Sequence, residues 1–190
     1  MRALIVEASL KPLDQESNTR AVCRVAQQSL KGLGVDTLVQ HLKGMQYDFS
    51  TEIVNDQGQA DDMTQLLKTV LDADILVIAT PIWWGIHSSL AQSFIERMDK
   101  FDDWSQKKNT NVMGLKTLGT IVSGSGDGFQ HIHGLHSAFA SYLGFTVPPK
   151  SMLECNTQGY KKILQDRELK TQASKWAENL VRCSRQLQQR

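Results

Sequence analysis

The segment DILVIAT, Asp74 to Thr80, is apolar at every interior position. A strand with one wet face alternates polar and apolar residues, and an unbroken apolar run of this length is what a strand covered on both faces requires. It therefore reads as an interior strand of a parallel sheet with helices on each side. That arrangement constrains the rest of the chain to alternate strand and helix.

The alternation is visible on either side. RALIV (Arg2 to Val6) is a short aliphatic run, and NTRAVCRVAQQSLKGLG carries Val22, Val25, Ala26, Leu30 and Leu33 at helical spacing, ended by Gly32 and Gly34. Val35 to Leu42 returns to strand pattern, and Gly44 to Ala60 lacks periodicity and reads as a long loop. Asp61 or Asp62 can cap a helix built on Met63, Leu66, Leu67, Val70 and Leu71. Leu90, Phe94, Ile95, Met98 and Phe101 form the next apolar stripe, followed by DDWSQKKNTNVMGL, a polar connection, and the strand KTLGTIVSG. A helix with Ile132, Leu135, Phe139 and Leu143 on its core face precedes a short strand FTVPP (Phe145 to Pro149). A final helix, about Lys161 to Gln188, lines up Leu169, Ala173, Trp176, Leu180 and Leu187.

Five strand–helix units without repeat or composition break predict a single domain over residues 1–190, an α/β three-layer sandwich. With right-handed crossovers, five parallel strands favour the flavodoxin-like order 2-1-3-4-5, which opens a crevice at the carboxyl ends of strands 1 and 3. Function is expected there.

Twenty-one basic and 20 acidic residues give a net charge of +1, with no like-charge run, so nucleic acid is not an indicated partner. Cys23, Cys155 and Cys183 are far apart and form no CxxC spacing for zinc, iron–sulfur or a redox pair. No apolar run approaches a membrane span and no signal peptide is recognisable, so the expected location is cytoplasmic.

Three loops converge on the crevice. EASLKPLDQESNTR places Ser9, Ser17, Asn18 and Thr19 around a helix start, where hydroxyls and free amides suit an anion, although Ser17 or Asn18 could equally be a plain N-cap. It contains neither GxGxxG nor GxxxxGK[ST]. Thr80 to Ser88 places Pro81, Ile82, Trp83, Trp84 and Gly85 beside it. There a flat side chain can line a ring, or both tryptophans can pack under the next helix or in a subunit contact. SGSGDGFQ, Ser123 to Gln130, supplies a glycine-rich third edge.

ASLKPLDQESNT, ATPIWWGIHSSLAQSFIERM and LKTLGTIVSGSGDG together resemble the flavodoxin-like NAD(P)H-dependent FMN reductase family over Arg2 to about Pro149. The resemblance implies FMN phosphate at Ser9, Ser17, Asn18 and Thr19, with the isoalloxazine against Pro81, Ile82, Trp83, Trp84 and Gly85. Ser123, Gly124, Gly126 and Asp127 would edge the ring. It implies an oxidoreductase in which NAD(P)H reduces a quinone, nitro, azo or flavin acceptor through FMN, with no side-chain acid or base required, acting as a homodimer or homotetramer. Trp83 is the expected ring contact, Trp84 is expected to face substrate or a neighbouring subunit, and the Trp176–Leu180 helix is a candidate for assembly. Ala8 stands where the family has glycine, and Trp83 where it often has tyrosine.

Two other classes stay open: a flavodoxin-type electron carrier, disfavoured by the near-neutral charge, and a non-enzymatic interaction module. His131, His133 and His136 lack the spacing for a shared metal and are expected on a polar helix face. His87 with Ser88 or Ser89 has no GxSxG elbow to make a nucleophile.

Overall fold

In the computed structural model, residues 1–54 and 57–189 are described; the part of the expected Gly44 to Ala60 loop at 55–56 lies outside them. Five parallel strands, β1 (Arg2–Glu7), β2 (Asp36–His41), β3 (Ile75–Pro81), β4 (Thr117–Ser123) and β5 (Met152–Cys155), form one sheet in the order β2-β1-β3-β4-β5. Helices α1 (Asn18–Gly32), α6 (Tyr160–Gln165) and α7 (Arg167–Leu187) cover one face of the sheet, and α2 (Asp62–Asp72), α3 (Ser89–Arg97), α4 (Lys100–Lys108) and α5 (Phe129–Leu143) the other.

The two-residue period of the strands sorts the core into two layers. Ala3 and Ile5 of β1 and Ile75, Val77 and Ala79 of β3 pack with α1 and α7. Leu4, Val6, Leu76 and Ile78 pack on the opposite side with α2 and α3. Both faces of β3 are thus dry, which is why its sequence does not alternate.

Four expectations are corrected. The fifth strand is Met152–Cys155 rather than Phe145 to Pro149. Pro148 and Pro149 have no N–H to give a ladder, so only Thr146 bridges, to Thr117. The chain then turns at Lys150, and the Ser151 carbonyl accepts from both the Thr120 amide and the Trp176 indole, 2.9 and 2.8 Å away, setting Met152 beside Thr120.

The polar stretch after Met98 contains helix α4, which buries only Phe101 but has Asp102 and Asp103 in its first turn and Lys107 and Lys108 in its last, the order the helix dipole favours. The last helix is two, broken at Asp166, whose carboxylate caps α7 by accepting from the Leu169 amide. Trp176 and Leu180 lie in the core, as their spacing along one helical face predicts. Helix α5 is rotated from the expected face: Ile132, His136, Ala140 and Leu143 are buried, and Leu135 is exposed.

Candidate functional site

Strands β1 and β3 are neighbours whose connections leave toward opposite sides of the sheet, and a cleft of about 260 Å³ opens at their carboxyl ends. A larger hollow, about 430 Å³, lies between Leu13, Lys43 and α2 at the outer edge of the sheet, so volume alone does not pick the site.

The first wall is the β1–α1 loop. Ser17 caps α1 by accepting from the Arg20 amide, and its hydroxyl donates to that of Ser9 at 2.9 Å. Thr19 and Ser123 share a hydroxyl–hydroxyl bond of 2.7 Å. Four hydroxyls therefore face one another in pairs beside the first turn of α1, where the amides of Asn18 and Thr19 have no intrahelical acceptor.

A buried carboxylate fixes this loop from below. Glu7 accepts from the Ser9 amide at 3.0 Å and meets His41 Nδ1 at 2.8 Å, with Arg20 Nε 4.0 Å away. The Arg20 fork donates to the carbonyls of Lys11, Pro12 and Leu13, wrapping the loop around one guanidinium. Ala8 is fully buried and its amide continues the ladder to Ala79, so the position where the family has glycine needs no glycine freedom here.

The second wall is a hairpin. Trp83 and Ile86 each donate to the other's carbonyl, at 2.8 and 3.0 Å, around Trp84 (φ 50°) and Gly85 (φ 82°). Positive φ at both central positions is the type I′ turn, natural for glycine and strained by about 1–2 kcal/mol for a bulky residue. Trp83 is half-exposed and lines the cleft, while Trp84 stands 97% exposed at the apex.

The glycine-rich loop closes the third side. The Ile82 amide donates to the Ser123 carbonyl, and a Cβ on Gly124 would sit 3.0 Å from Ile82. A fourth segment, missed in the sequence, follows β5: Gln158 accepts from the Asn18 side chain at 2.8 Å and joins the lining.

Of the expected residues, Ser9, Ser17, Asn18, Thr19, Pro81, Ile82, Trp83, Ser123 and Gly124 line one cleft. Trp84, Gly85, Gly126 and Asp127 do not, and Leu10, Lys11, Ser125 and Gln158 are added. Lys11 had a legible signal, a lone cation two residues after Ser9. Its ammonium bonds the Glu16 carbonyl at the rim.

Behind the hairpin, His136 is fully buried, not on a polar face as expected, and its ring stacks on His87 at 5.4 Å. Burial, then His87 and His133, push the His136 imidazole down to about 3. The Ser88 hydroxyl caps α3 and donates to the Ala8 carbonyl at 2.6 Å, so it serves the backbone. Burial pushes the Cys23 and Cys155 thiols up, away from nucleophilic thiolate. Among the described residues, no group of three His, Cys, Asp or Glu is placed to hold a metal, and no helix is long and apolar enough to cross a membrane.

Sheet order, helix placement and a switch-point cleft built of hydroxyls and helix amides define a flavodoxin-like protein. The fold matches a flavodoxin from Streptococcus pneumoniae at a TM-score of 0.60 and 20% identity, over 96% of this chain and 99% of that one. The sequence model described as NADPH-dependent FMN reductase matches residues 1–158, and the chain belongs to that family.

RosB crystallised with the intermediate 8-demethyl-8-formylriboflavin-5'-phosphate superposes at a TM-score of 0.87 with 23% identity, over all of this chain and 81% of that one. Among curated relatives, the 8-demethyl-8-aminoriboflavin-5'-phosphate synthase of Streptomyces davaonensis is 26% identical over 160 residues, 80% of this chain and 62% of its own length. A Mycobacterium bovis protein named divalent metal cation transporter MntH is 29% identical over 157 residues, 80% of this chain but 22% of its own. The chain thus spans less than two thirds of either curated relative.

Proposed function

We propose that the protein is an FMN-dependent oxidoreductase that takes reducing equivalents from NAD(P)H and delivers them to a quinone, nitro, azo or flavin acceptor. The observation that carries the reading is the cradle itself: the pairs Ser9–Ser17 and Thr19–Ser123 at the first turn of α1, beside a wall of Pro81, Ile82 and Trp83. The residues fit the cofactor. Neutral hydroxyl donors and helix amides suit a phosphate monoester that is held and not transferred, and Pro81 to Trp83 offer a flat apolar face to a ring.

Flavin, when bound, supplies the redox chemistry. The chain's part is positioning. Glu7 and Arg20 hold the phosphate loop, the Ser17 cap orients the α1 amides, and Gly124 lets the third loop approach Ile82. The half-exposed side of Trp83 leaves the wall open for donor and acceptor.

Helix α5 contains no Asp, Glu, Lys or Arg and presents Leu135 and Tyr142 to the surface. A surface helix without charge suits burial against an equally neutral surface, and homodimer formation through α5 is the assembly this favours.

The name of the Streptomyces relative favours a second reading, in which a flavin phosphate enters the cleft as substrate and leaves after turnover. Titration of the protein with FMN and riboflavin by flavin fluorescence, then NADPH and NADH oxidation with a quinone, tests both. FMN quenching with turnover on the quinone is the expected result. Failure to bind FMN would sink both readings, and flavin lost to a desalting column after each turnover favours the second.

A further inference from the structure

We infer that the buried His136 ring, stacked on His87, is a latch that positions the tryptophan hairpin against α5, and that protonating His136 lets the hairpin open. Two links join these elements. One is backbone on backbone, Gly128 at the start of α5 against Gly85 in the turn. The other is the imidazole stack, with ring planes 25° apart, between the residue that follows the hairpin and the second turn of α5.

The hydrogen bonds determine what the latch tolerates. Gln92 gives its amide hydrogen to Glu96 at 2.8 Å, so its oxygen faces His87 Nε2 at 2.7 Å, and that nitrogen carries the ring hydrogen. His87 Nδ1 is left as a buried lone pair with no partner. His136 Nδ1 lies 3.3 Å from the Thr120 hydroxyl of β4, and its Nε2 is buried and unpartnered.

Neutral, His136 has only the Thr120 hydroxyl beside Nδ1 and nothing at Nε2. Protonated, it would bury a charge and an Nε2–H with no acceptor, a far more expensive arrangement. The titratable groups around the pair offer no relief. On α5, His133 adds a third imidazole, with its own Nδ1 buried and unpartnered. Glu154 of β5 acts on His133, and Glu96 of α3 is reached only through Gln92. An apolar pair would hold this joint without such exposure to pH, and departures from that rule concentrate at functional elements.

Opening returns His136 to water, where an imidazole titrates near 6.5. One ring alone then raises the hairpin's opening constant about tenfold between pH 7.5 and 5.5. The latch stands on the chain's own geometry, and only its effect on flavin rests on the proposed function.

Hydrogen exchange of the Trp83 and Ile86 amides, which bond across the hairpin, tests it on the flavin-free protein after correction for intrinsic exchange rates. The expected result is a tenfold rise in opening from pH 7.5 to 5.5, absent in His136→Phe, which keeps a stacking ring but cannot titrate. A persisting pH response in that variant overturns the latch, as does exchange of the hairpin only together with the core amides of Val77 and Ile121. His136→Leu replaces it if the Phe variant fails to fold. FMN affinity should fall with the same pH dependence in the native protein alone. Hairpin opening as described with no FMN bound at any pH supports the latch and sinks only the flavin reading.

Discussion

Gly128 and Gly85 meet backbone to backbone: a Cβ added to Gly128 would lie 2.9 Å from the Gly85 carbonyl oxygen and 3.0 Å from its Cα. Gly128 also sits at φ 136°, open to glycine and strained for other residues. Neither neighbour is a flexible side-chain tip, so Gly128→Ala must displace the hairpin or the start of α5. The expected cost is about 1–3 kcal/mol by urea denaturation, with weakened FMN binding. Gly58→Ala, whose Cβ meets nothing within 4 Å, serves as the comparison for positive-φ strain alone.

Thr19 tests the proposed phosphate cradle without disturbing a cap. It is buried, and its hydroxyl bonds Ser123 at 2.7 Å, so Thr19→Val preserves shape and removes one donor. A hydrogen bond to a charged group contributes about 1.5–3 kcal/mol, which corresponds to roughly a tenfold to hundredfold loss of FMN affinity. Riboflavin, lacking the phosphate, should bind the variant and the native protein alike in fluorescence titration. Equal loss for both ligands would place the phosphate elsewhere.

How far the sequence could be read follows from what each element buries. Strand β3 was legible because both its faces are dry, and the clustering of Ser9, Ser17 and Thr19 was legible because they are close along the chain. Helix α4 was hidden because only Phe101 is buried, and β5 because it is four residues with Glu154 exposed among them. His136 occupies a core position with a residue type that periodicity counts as polar. Gln158 reaches Asn18 across 140 residues, a contact local pattern cannot supply. Gly85 signalled a turn, but a tryptophan at φ 50° has no signature, since bulky residues rarely adopt that region.

Arg97 carries the long β2–α2 connection. Its side chain is 1% exposed, and it forks onto Asp61 at 2.8 and 3.0 Å while also donating to the carbonyls of Asp48 and Ile53. Burial works against the Asp61 carboxylate, but bonds from Arg97 and Thr64 overcome it and hold the group below its ordinary range. Arg97→Met removes one partner and leaves the other charge buried, for an expected loss of about 3–5 kcal/mol. The double variant with Asp61→Asn, which keeps a capping oxygen for Thr64, should recover part of that loss in urea denaturation.

His136 gives global stability a pH dependence whose sign is fixed. Its folded-state value is about 3, below the unfolded value of about 6.5, so between these limits the unfolded chain binds the extra proton. Stability is therefore full above the upper limit and falls with acidification, by about 2 kcal/mol from pH 7 to pH 5 at 1.36 kcal/mol per unit. The depressed carboxyls of Asp61 and Asp166 act in the same direction but lower, losing their contribution only as pH falls below the ordinary carboxylate range. The two windows separate the causes: His136→Phe should flatten the urea midpoint between pH 7 and 5 and leave the steeper loss below pH 4. A native midpoint that is flat over the upper window would show that the buried imidazole finds an acceptor when it is charged.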